Sequence, residues 1–105
     1  GYYRVIHEYE THTKVKELAV PPGNRLSMQR HKERSEHWFV AEGTATVYTL
    51  NAATDQELLG VYKQHQSLHI PANTWHQLAN EHDSDLKLVE IQYGTNCVEE
   101  DIERK

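Results

Sequence analysis

The sequence predicts an all-β fold, a small antiparallel sandwich or barrel of roughly seven to nine short strands. Two observations carry this prediction. Runs of β-branched, aliphatic and aromatic residues recur along the chain, and turn-forming residues separate them at spacings of about ten residues. A third observation agrees, since no stretch keeps the 3.6-residue period of an amphipathic helix.

The individual strands and turns follow from local composition. Strand-like runs occupy residues 3–6, 14–20, 38–40 and 86–88. Turn signals rich in Gly, Pro, Asn and Asp occupy residues 21–24, 42–43, 51–55, 71–73 and 81–84. The acidic segment 99–103 fits either one helical turn or a closing strand.

Length and composition narrow the class of protein. A chain of 105 residues fits one domain, predicted over residues 1–105. A net charge of −5 without a basic cluster argues against a nucleic-acid partner. No apolar run approaches the roughly 20 residues of a membrane span, and the N-terminus lacks a signal-peptide layout. The single cysteine, Cys97, forms no intrachain disulfide, so a cytoplasmic location is expected.

A candidate metal site begins with two residues on one strand. Gln29 and His31 are two apart, so their side chains share a face. Glu36 returns on the next strand, where it shares a face with Trp38 and the opposite face carries His37. An inward carboxylate beside an inward imidazole needs a compensating cation, because an isolated buried charge is costly. A divalent metal ion would supply it.

His76 is the fourth candidate ligand, and alone it is a weak signal. It follows a predicted turn and shares a strand face with Leu78 and Asn80. A single histidine beside a tryptophan is more often a core residue than a ligand. The spacing of the whole set changes this balance.

The first half of that set resembles the first cupin motif. The motif has G, five residues, H-x-H, three or four residues, E, six residues and G. Here the corresponding positions are Gly23, Gln29, His31, Glu36 and Gly43. Gln29 stands in place of the first histidine.

The second cupin motif, P-x-G, two residues, H, three residues and N, is similar to Pro71, Asn73, His76 and Asn80. Asn73 replaces a turn glycine, a mild change because Asn tolerates the left-handed backbone. His65 occupies the position of an upstream glycine. The resemblance implies a cupin fold, an antiparallel β-barrel or double-stranded β-helix of jelly-roll type, with one divalent ion held by Gln29, His31, Glu36 and His76.

A closer resemblance is to the type II phosphomannose isomerases. Residues 26–38 read LSMQRHKERSEHW, similar to that family's L-S-L-Q-x-H-x-x-R-x-E-H-W, and residues 14–23, 70–80, 88–94 and 99–104 match its other blocks. The resemblance implies an aldose–ketose isomerase that interconverts mannose 6-phosphate and fructose 6-phosphate. It implies Zn²⁺, with Mn²⁺, Fe²⁺, Co²⁺ or Ni²⁺ as alternatives, a sugar-phosphate ligand and a homodimer.

The type II enzymes commonly join this cupin to a sugar-nucleotide transferase domain. No nucleotide loop of the G-x-G-T-R-L type is present, so guanylyltransferase activity is not expected of this chain. It also ends at Lys105, before the family's D-x-Y-G-R tail.

Catalytic and substrate-binding residues are predicted from residue type and strand phase, except Arg104, which the resemblance implies because it matches the terminal arginine of the family motif. The catalytic candidates are Arg104, Glu90 and Lys16, and the substrate-binding candidates are Arg34, Arg25 and Gln92. The base is left open among Glu90, Glu99, Asp101 and a metal-bound hydroxide. Trp38 and Trp75 are expected in the core, and His69 is expected to line the barrel or pack beneath a turn.

Two other functions compete with the isomerase. One is a non-catalytic cupin that binds a sugar or sugar nucleotide. The other is a different metal cupin, an oxygenase or an epimerase. Gln29 disfavours an oxygenase, which usually has more imidazole ligands, and the intact metal set disfavours a deoxysugar epimerase, which needs no metal.

Overall fold

A computed structural model describes residues 1–51, 53–98 and 100–105. Over these residues the chain forms ten strands and no helix. They are β1 Tyr2–Tyr9, β2 Thr13–Val20, β3 Gln29–Arg30, β4 Arg34–Glu42, β5 Ala45–Leu50, β6 Glu57–Tyr62, β7 Ser67–Ile70, β8 His76–Ala79, β9 Leu86–Gly94 and β10 Glu103–Arg104. The predicted all-β class is confirmed, and the acidic segment ends in the short strand β10.

The strands form two five-stranded antiparallel sheets. The first has the order β1-β2-β9-β4-β7 and the second the order β10-β3-β8-β5-β6. Every pair of neighbouring strands is antiparallel. The core lies between the sheets, because both contribute the buried side chains of Val20, Trp38, Val40, Ala45, Val47, Ile70, Leu78, Leu86 and Leu88.

Strand β4 shows how the sequence pattern selects the inner face. Glu36, Trp38 and Val40 are buried at alternate positions, while His37 is half-buried and Phe39 is exposed between them. The side chains of a strand alternate between faces, so an apolar set at every second residue buries one face. The predicted separation of inward Glu36 from outward His37 is thus confirmed.

Strand register brings the polar inward residues into one region. In the first sheet, Glu90 of β9 is paired with Lys16 on one side and Trp38 on the other. The next inward pair joins Gln92 to Glu36. Because directly paired residues share a face, these side chains lie side by side on the inner surface.

The turn before β8 is formed by a residue that tolerates positive φ. Asn73 has φ 64°, in the left-handed region, and its backbone N–H donates to the carbonyl of His31 over 2.7 Å. The expectation that asparagine can replace the turn glycine is confirmed. The turn also ties the loop after β3 to the start of β8.

Two expected placements differ from the structure. Trp75 was expected in the core and is only partly buried, with Arg30 and Lys105 stacked on its ring at 4.8 and 5.3 Å from the centroid. His69 lies exposed on the outer face of β7, where the Tyr93 hydroxyl is 3.2 Å from its Nδ1. Trp75 lies in the turn just before β8 and His69 lies in β7, and the short apolar runs around them do not fix which way either side chain points.

The described part of the chain has no helix long and apolar enough to cross a membrane.

Candidate functional site

Three buried side chains converge between the sheets. His31 follows β3, Glu36 lies in β4 and His76 opens β8. Their exposed fractions are only 3%, 2% and 5%, and one ligand atom from each lies within 4.8 Å of the others. Residues from three separate segments are thus close enough to bind a single ion.

The His76 ring is oriented by the main chain. Its Nδ1 donates to the carbonyl of Thr74 over 2.9 Å, which directs Nε2 inward, 3.8 Å from Glu36 Oε1. Metal-binding histidines are commonly fixed in this way through their other ring nitrogen. The Trp38 Nε1–H donates to the same Glu36 oxygen over 2.8 Å, so this predicted core residue also holds the carboxylate.

Arg34 contacts two of the three converging residues. Its Nε donates to Glu36 Oε2 over 3.2 Å, and its Nη2 lies 2.8 Å from His31 Nε2. Arg34 is itself buried, with 5% of its surface exposed. A buried guanidinium therefore neutralises the Glu36 carboxylate from one side.

Two carboxyl groups share the region, and their environment separates their protonation. Burial raises the pKa of Glu90 to about 8, assisted by the neighbouring charge of Glu36. Burial alone would also raise the pKa of Glu36, but His76, a hydrogen bond from Glu90 and the Arg34 charge outweigh it and lower that pKa. Glu36 is therefore the ionised member, and Glu90, which also accepts from Gln92 Nε2, is the protonated one.

Burial also keeps the His31 ring neutral. Desolvation lowers its pKa to about 4, and the charges of Arg34 and His76 act in the same direction against the opposing charge of Glu36. A neutral imidazole is the form that binds metal ions.

The donor set fits a divalent metal ion. Two imidazoles and one ionised carboxylate suit Zn²⁺ and the other divalent first-row metals. Gln29 is paired with His76 between β3 and β8, and its Nε2 donates to Ser27 Oγ over 2.9 Å. Gln29, Glu36 and His76 all line one cavity. The role of Gln29 as the fourth ligand stays a prediction, and its location is compatible with that role.

A cavity of about 160 Å³ opens beside these ligands. Eight predicted site residues line it: Lys16, Gln29, Arg34, Glu36, His76, Glu90, Gln92 and Arg104. Tyr3, Ser27 and Ile102 also line it, and none of the three was predicted from the sequence as a site residue. Ser27 was detectable as the same-face neighbour of Gln29, whereas Tyr3 and Ile102 carry no comparable local signal.

Arg25 was predicted to bind substrate and does not reach the cavity. Its Nη2 pairs with Glu81 Oε2 over 3.3 Å at an exposed position, beside the ring of Tyr48. Arg25 forms an isolated β-bridge with Ala79. In β8 the cavity is lined by His76 and Leu78, so Ala79 and its partner Arg25 lie on the other face. Glu99, a candidate base, lies outside the described residues.

Asp101 is not in the cavity and instead joins the C-terminal segment to the β3–β4 connection. Its Oδ1 accepts from the Lys32 N–H over 3.1 Å, and its Oδ2 accepts from the Glu33 N–H over 2.8 Å. Burial alone would raise the pKa of Asp101, but these two donors outweigh it and hold the pKa below the usual 3.8. Asp101 is therefore a positioning residue for the segment between His31 and Glu36, which was not foreseen.

Asp101→Asn is expected to lower the free energy of unfolding by about 1–2 kcal/mol at pH 7, because an amide accepts only one of the two hydrogen bonds. A carboxyl with a depressed folded pKa stabilises the fold above its unfolded pKa and loses this contribution as pH falls through the folded value. The difference in the free energy of unfolding between Asp101→Asn and the parent protein should thus shrink below pH 3.8. Urea unfolding at pH 7 and pH 3 measures it, and a difference that is larger at pH 3 contradicts the assignment.

Comparison with known proteins gives the family context. The family model described as "Mannose-6-phosphate isomerase C-terminal" matches residues 1–105. A mannose-1-phosphate guanylyltransferase from Salmonella muenchen is 39% identical over 104 residues, which are 99% of this chain and 20% of that protein. The alginate biosynthesis protein AlgA from Pseudomonas aeruginosa is 41% identical over 90 residues, 86% of this chain and 18% of that protein. The chain spans about one fifth of these relatives.

Solved structures show the same fold at low sequence identity. The capsular polysaccharide assembling protein CapF from Staphylococcus aureus matches with a TM-score of 0.85 and 14% identity, over 97% of this chain and 31% of that chain. The Schizosaccharomyces pombe Cnp3 cupin domain matches with a TM-score of 0.76 and 13% identity, over 89% and 64%. The predicted fold class, an all-β cupin of jelly-roll type, is confirmed.

The function predicted from the sequence, a sugar-phosphate isomerase, is wrong. Relatives that match nearly the whole chain are named for guanylyl transfer, a nucleotidyltransferase activity, and not for isomerisation alone. The matched region makes up only 20% of that Salmonella muenchen protein, so motifs within this region do not report the whole activity for which the relative is named. The absence of a nucleotide loop from these 105 residues therefore says nothing about the parts of the relatives that lie outside the matched region.

Proposed function

Because the chain belongs to the mannose-6-phosphate isomerase C-terminal family, we propose that it is the metal-containing, sugar-phosphate-binding part of a longer mannose-1-phosphate guanylyltransferase. The nucleotidyl transfer itself belongs, in this proposal, to the remainder of that polypeptide. Relatives named for this activity are about five times as long as the matched region. In the Salmonella muenchen protein, that region makes up 20% of the length.

The observation that carries the proposal is the position of the ligand cluster. Glu36 and His76 lie at the wall of the cavity, and His31 lies within 4.8 Å of both through its ligand atom. An ion bound by this cluster would face the cavity directly. Sugar hydroxyl groups could then complete its coordination, since catalytic metal sites keep an open position.

The charge of the cavity wall suits a phosphorylated sugar. Lys16, Arg34 and Arg104 supply three cationic groups, against the carboxyl groups of Glu36 and Glu90. With Glu90 protonated, the balance favours an anionic ligand even before the charge of an ion is added. Glu90 and Gln92 offer hydrogen-bonding groups for sugar hydroxyls.

The proposed cofactor is Zn²⁺, with the other divalent ions named above as substitutes. When bound, such an ion supplies Lewis-acid polarisation of a sugar oxygen. In the proposal, Arg104 binds the phosphate at the rim and Lys16 orients the sugar deeper inside. Protonated Glu90 donates a hydrogen bond to a hydroxyl group of the bound sugar. A homodimer and a cytoplasmic location stay predictions.

Arg104→Gln tests the phosphate contact. We expect the affinity of the zinc-loaded protein for mannose 6-phosphate to fall about 10- to 100-fold, the effect of losing one charge-assisted hydrogen bond. Affinity for unphosphorylated mannose should not change. Isothermal titration calorimetry measures both, with Arg25→Gln as the matched control, because Arg25 is paired with Glu81 away from the cavity.

Two results would contradict the proposal. One is that neither mannose 6-phosphate nor mannose 1-phosphate binds the zinc-loaded protein in the millimolar range or shifts its melting temperature. The other is an equal loss of affinity for mannose and for its phosphate in Arg104→Gln, which would place Arg104 away from the phosphate.

A further inference from the structure

The guanidinium of Arg34 contacts two of the residues that would bind a metal ion. It donates from Nε to Glu36 Oε2 over 3.2 Å and approaches His31 Nε2 through Nη2 at 2.8 Å. A guanidinium has donors only, so His31 Nε2 is the acceptor of this bond. Arg34 therefore engages two of the three residues of the ligand cluster.

The tautomer of His31 follows from this contact. A neutral imidazole has one protonated and one unprotonated nitrogen, and Nε2 is the unprotonated one because it accepts from Arg34. The proton then lies on Nδ1, which is 3.3 Å from Glu36 Oε2. In this arrangement Nε2 accepts from Arg34 and Nδ1 carries the proton, so coordination by His31 requires that the contact with Arg34 be given up.

We propose that Arg34 and the divalent ion compete for His31 and Glu36, so that metal binding releases the guanidinium from these two residues. The inference rests on the metal centre of the proposed function and adds a regulating residue to it. Arg34 also lines the cavity, so a released guanidinium stays at the wall, where it can bind the anionic part of a sugar phosphate. Metal and sugar phosphate would then bind with positive coupling, and each would raise the affinity for the other.

A supporting role for Arg34 is the alternative, and it predicts the opposite result. An arginine that only orients Glu36 would lower metal affinity when removed, since loss of such outer contacts typically costs about 10- to 100-fold. An arginine that competes with the ion would raise metal affinity when removed. The sign of the change therefore separates the two roles.

The test is the zinc affinity of Arg34→Gln, measured by competition with a chromophoric chelator and without any sugar. We expect Arg34→Gln to bind zinc about 10-fold or more tightly than the parent protein. This gain has the size of the loss expected for a supporting arginine, in the opposite direction. Arg25→Gln is the matched control, since it removes the same charge from an exposed pair with Glu81. An unchanged or weaker zinc affinity in Arg34→Gln overturns the inference.

A second measurement uses the parent protein, in case Arg34→Gln does not fold. Nitrogen-15 NMR reports the tautomer of His31 and the side-chain N–H signals of Arg34. We expect zinc to shift the His31 ring nitrogens and to remove the exchange protection of Arg34 Nη2. Retention of that protection at full zinc occupancy overturns competition.

The outcomes also separate this inference from the proposed function. If Arg34→Gln binds zinc as the parent protein does, and mannose 6-phosphate still binds, the competition is contradicted and the proposed function is not. No zinc binding in either the parent protein or Arg34→Gln defeats both.

Discussion

Replacing His31 and His76 together by alanine is expected to lower the affinity for Zn²⁺ by about 10⁴-fold. A four-ligand zinc site contributes about 10–16 kcal/mol, so each ligand accounts for about 3 kcal/mol and two account for about four powers of ten. Both side chains are buried and within 4.8 Å of Glu36 through their ligand atoms. Metal content after dialysis and chelator competition measure the loss.

The chain offers a matched control for this double variant. His37 and His69 are paired directly between β4 and β7, and their side chains lie on the outer face of the first sheet. His37→Ala with His69→Ala removes the same number of imidazoles without touching the cluster, so zinc affinity should stay within about two-fold of the parent protein. Equal loss in both double variants would place the ion elsewhere.

The sequence predicted the inner face of β4 because its period is local. Glu36 and Trp38 are two residues apart, and strand geometry alone puts them on one face and His37 on the other. The spacing of His31, Glu36 and His76 was similarly informative, since a known motif replaced the missing information on how distant segments meet. This part of the site needed no knowledge of the sheet order.

The misplaced residues depend on contacts between segments far apart in sequence. Arg25 pairs with Glu81 and Trp75 stacks with Lys105, and neither partner could be identified without the register of the second sheet. Asp101 bonds to backbone N–H groups of Lys32 and Glu33, which have no side-chain signal. Such contacts are set by topology and leave no periodic trace in the sequence.

The error in function has a different cause. Motifs in a cupin report the chemistry of its own cavity and carry no information about a domain elsewhere in the polypeptide. The Salmonella muenchen relative is about five times as long as the matched region, which makes up 20% of it, so its name describes more than the region that this chain matches. A motif can therefore indicate a cluster of candidate ligands without indicating the activity of a whole protein.

Asn80 connects the end of β8 to two other segments, and its amide cannot be replaced by a carboxylate. It is fully buried, and its Nδ2 donates to the carbonyls of Val20 over 2.9 Å and Ser84 over 2.8 Å. Its Oδ1 accepts from the His82 N–H over 3.1 Å. Asn80→Asp keeps the shape of the side chain but directs a negative oxygen at two carbonyl oxygens.

We expect Asn80→Asp to lower the free energy of unfolding by about 3–5 kcal/mol at pH 7, the range for an uncompensated buried charge. Asn80→Ala should cost less, about 2–3 kcal/mol, because it leaves polar groups unpaired without adding a charge. The fold favours the protonated acid in Asn80→Asp, so its folded pKa is raised. Stability is therefore lost as pH rises above the unfolded pKa and partly regained near pH 4.

Asn51→Asp is the control, because the side chain of Asn51 accepts hydrogen bonds through its oxygen, whereas that of Asn80 also donates two through its nitrogen. Asn51 is exposed, and its Oδ1 accepts from the N–H groups of Ala53 over 2.9 Å and Thr54 over 3.2 Å. A carboxylate accepts these bonds equally well, so the free energy of unfolding should change by no more than about 0.5 kcal/mol. Urea unfolding of the three variants tests this order. If Asn80→Asp were as stable as Asn51→Asp, the Asn80 amide would not be the group that holds the end of β8, and the orientation of the strand that begins with His76 would need another explanation.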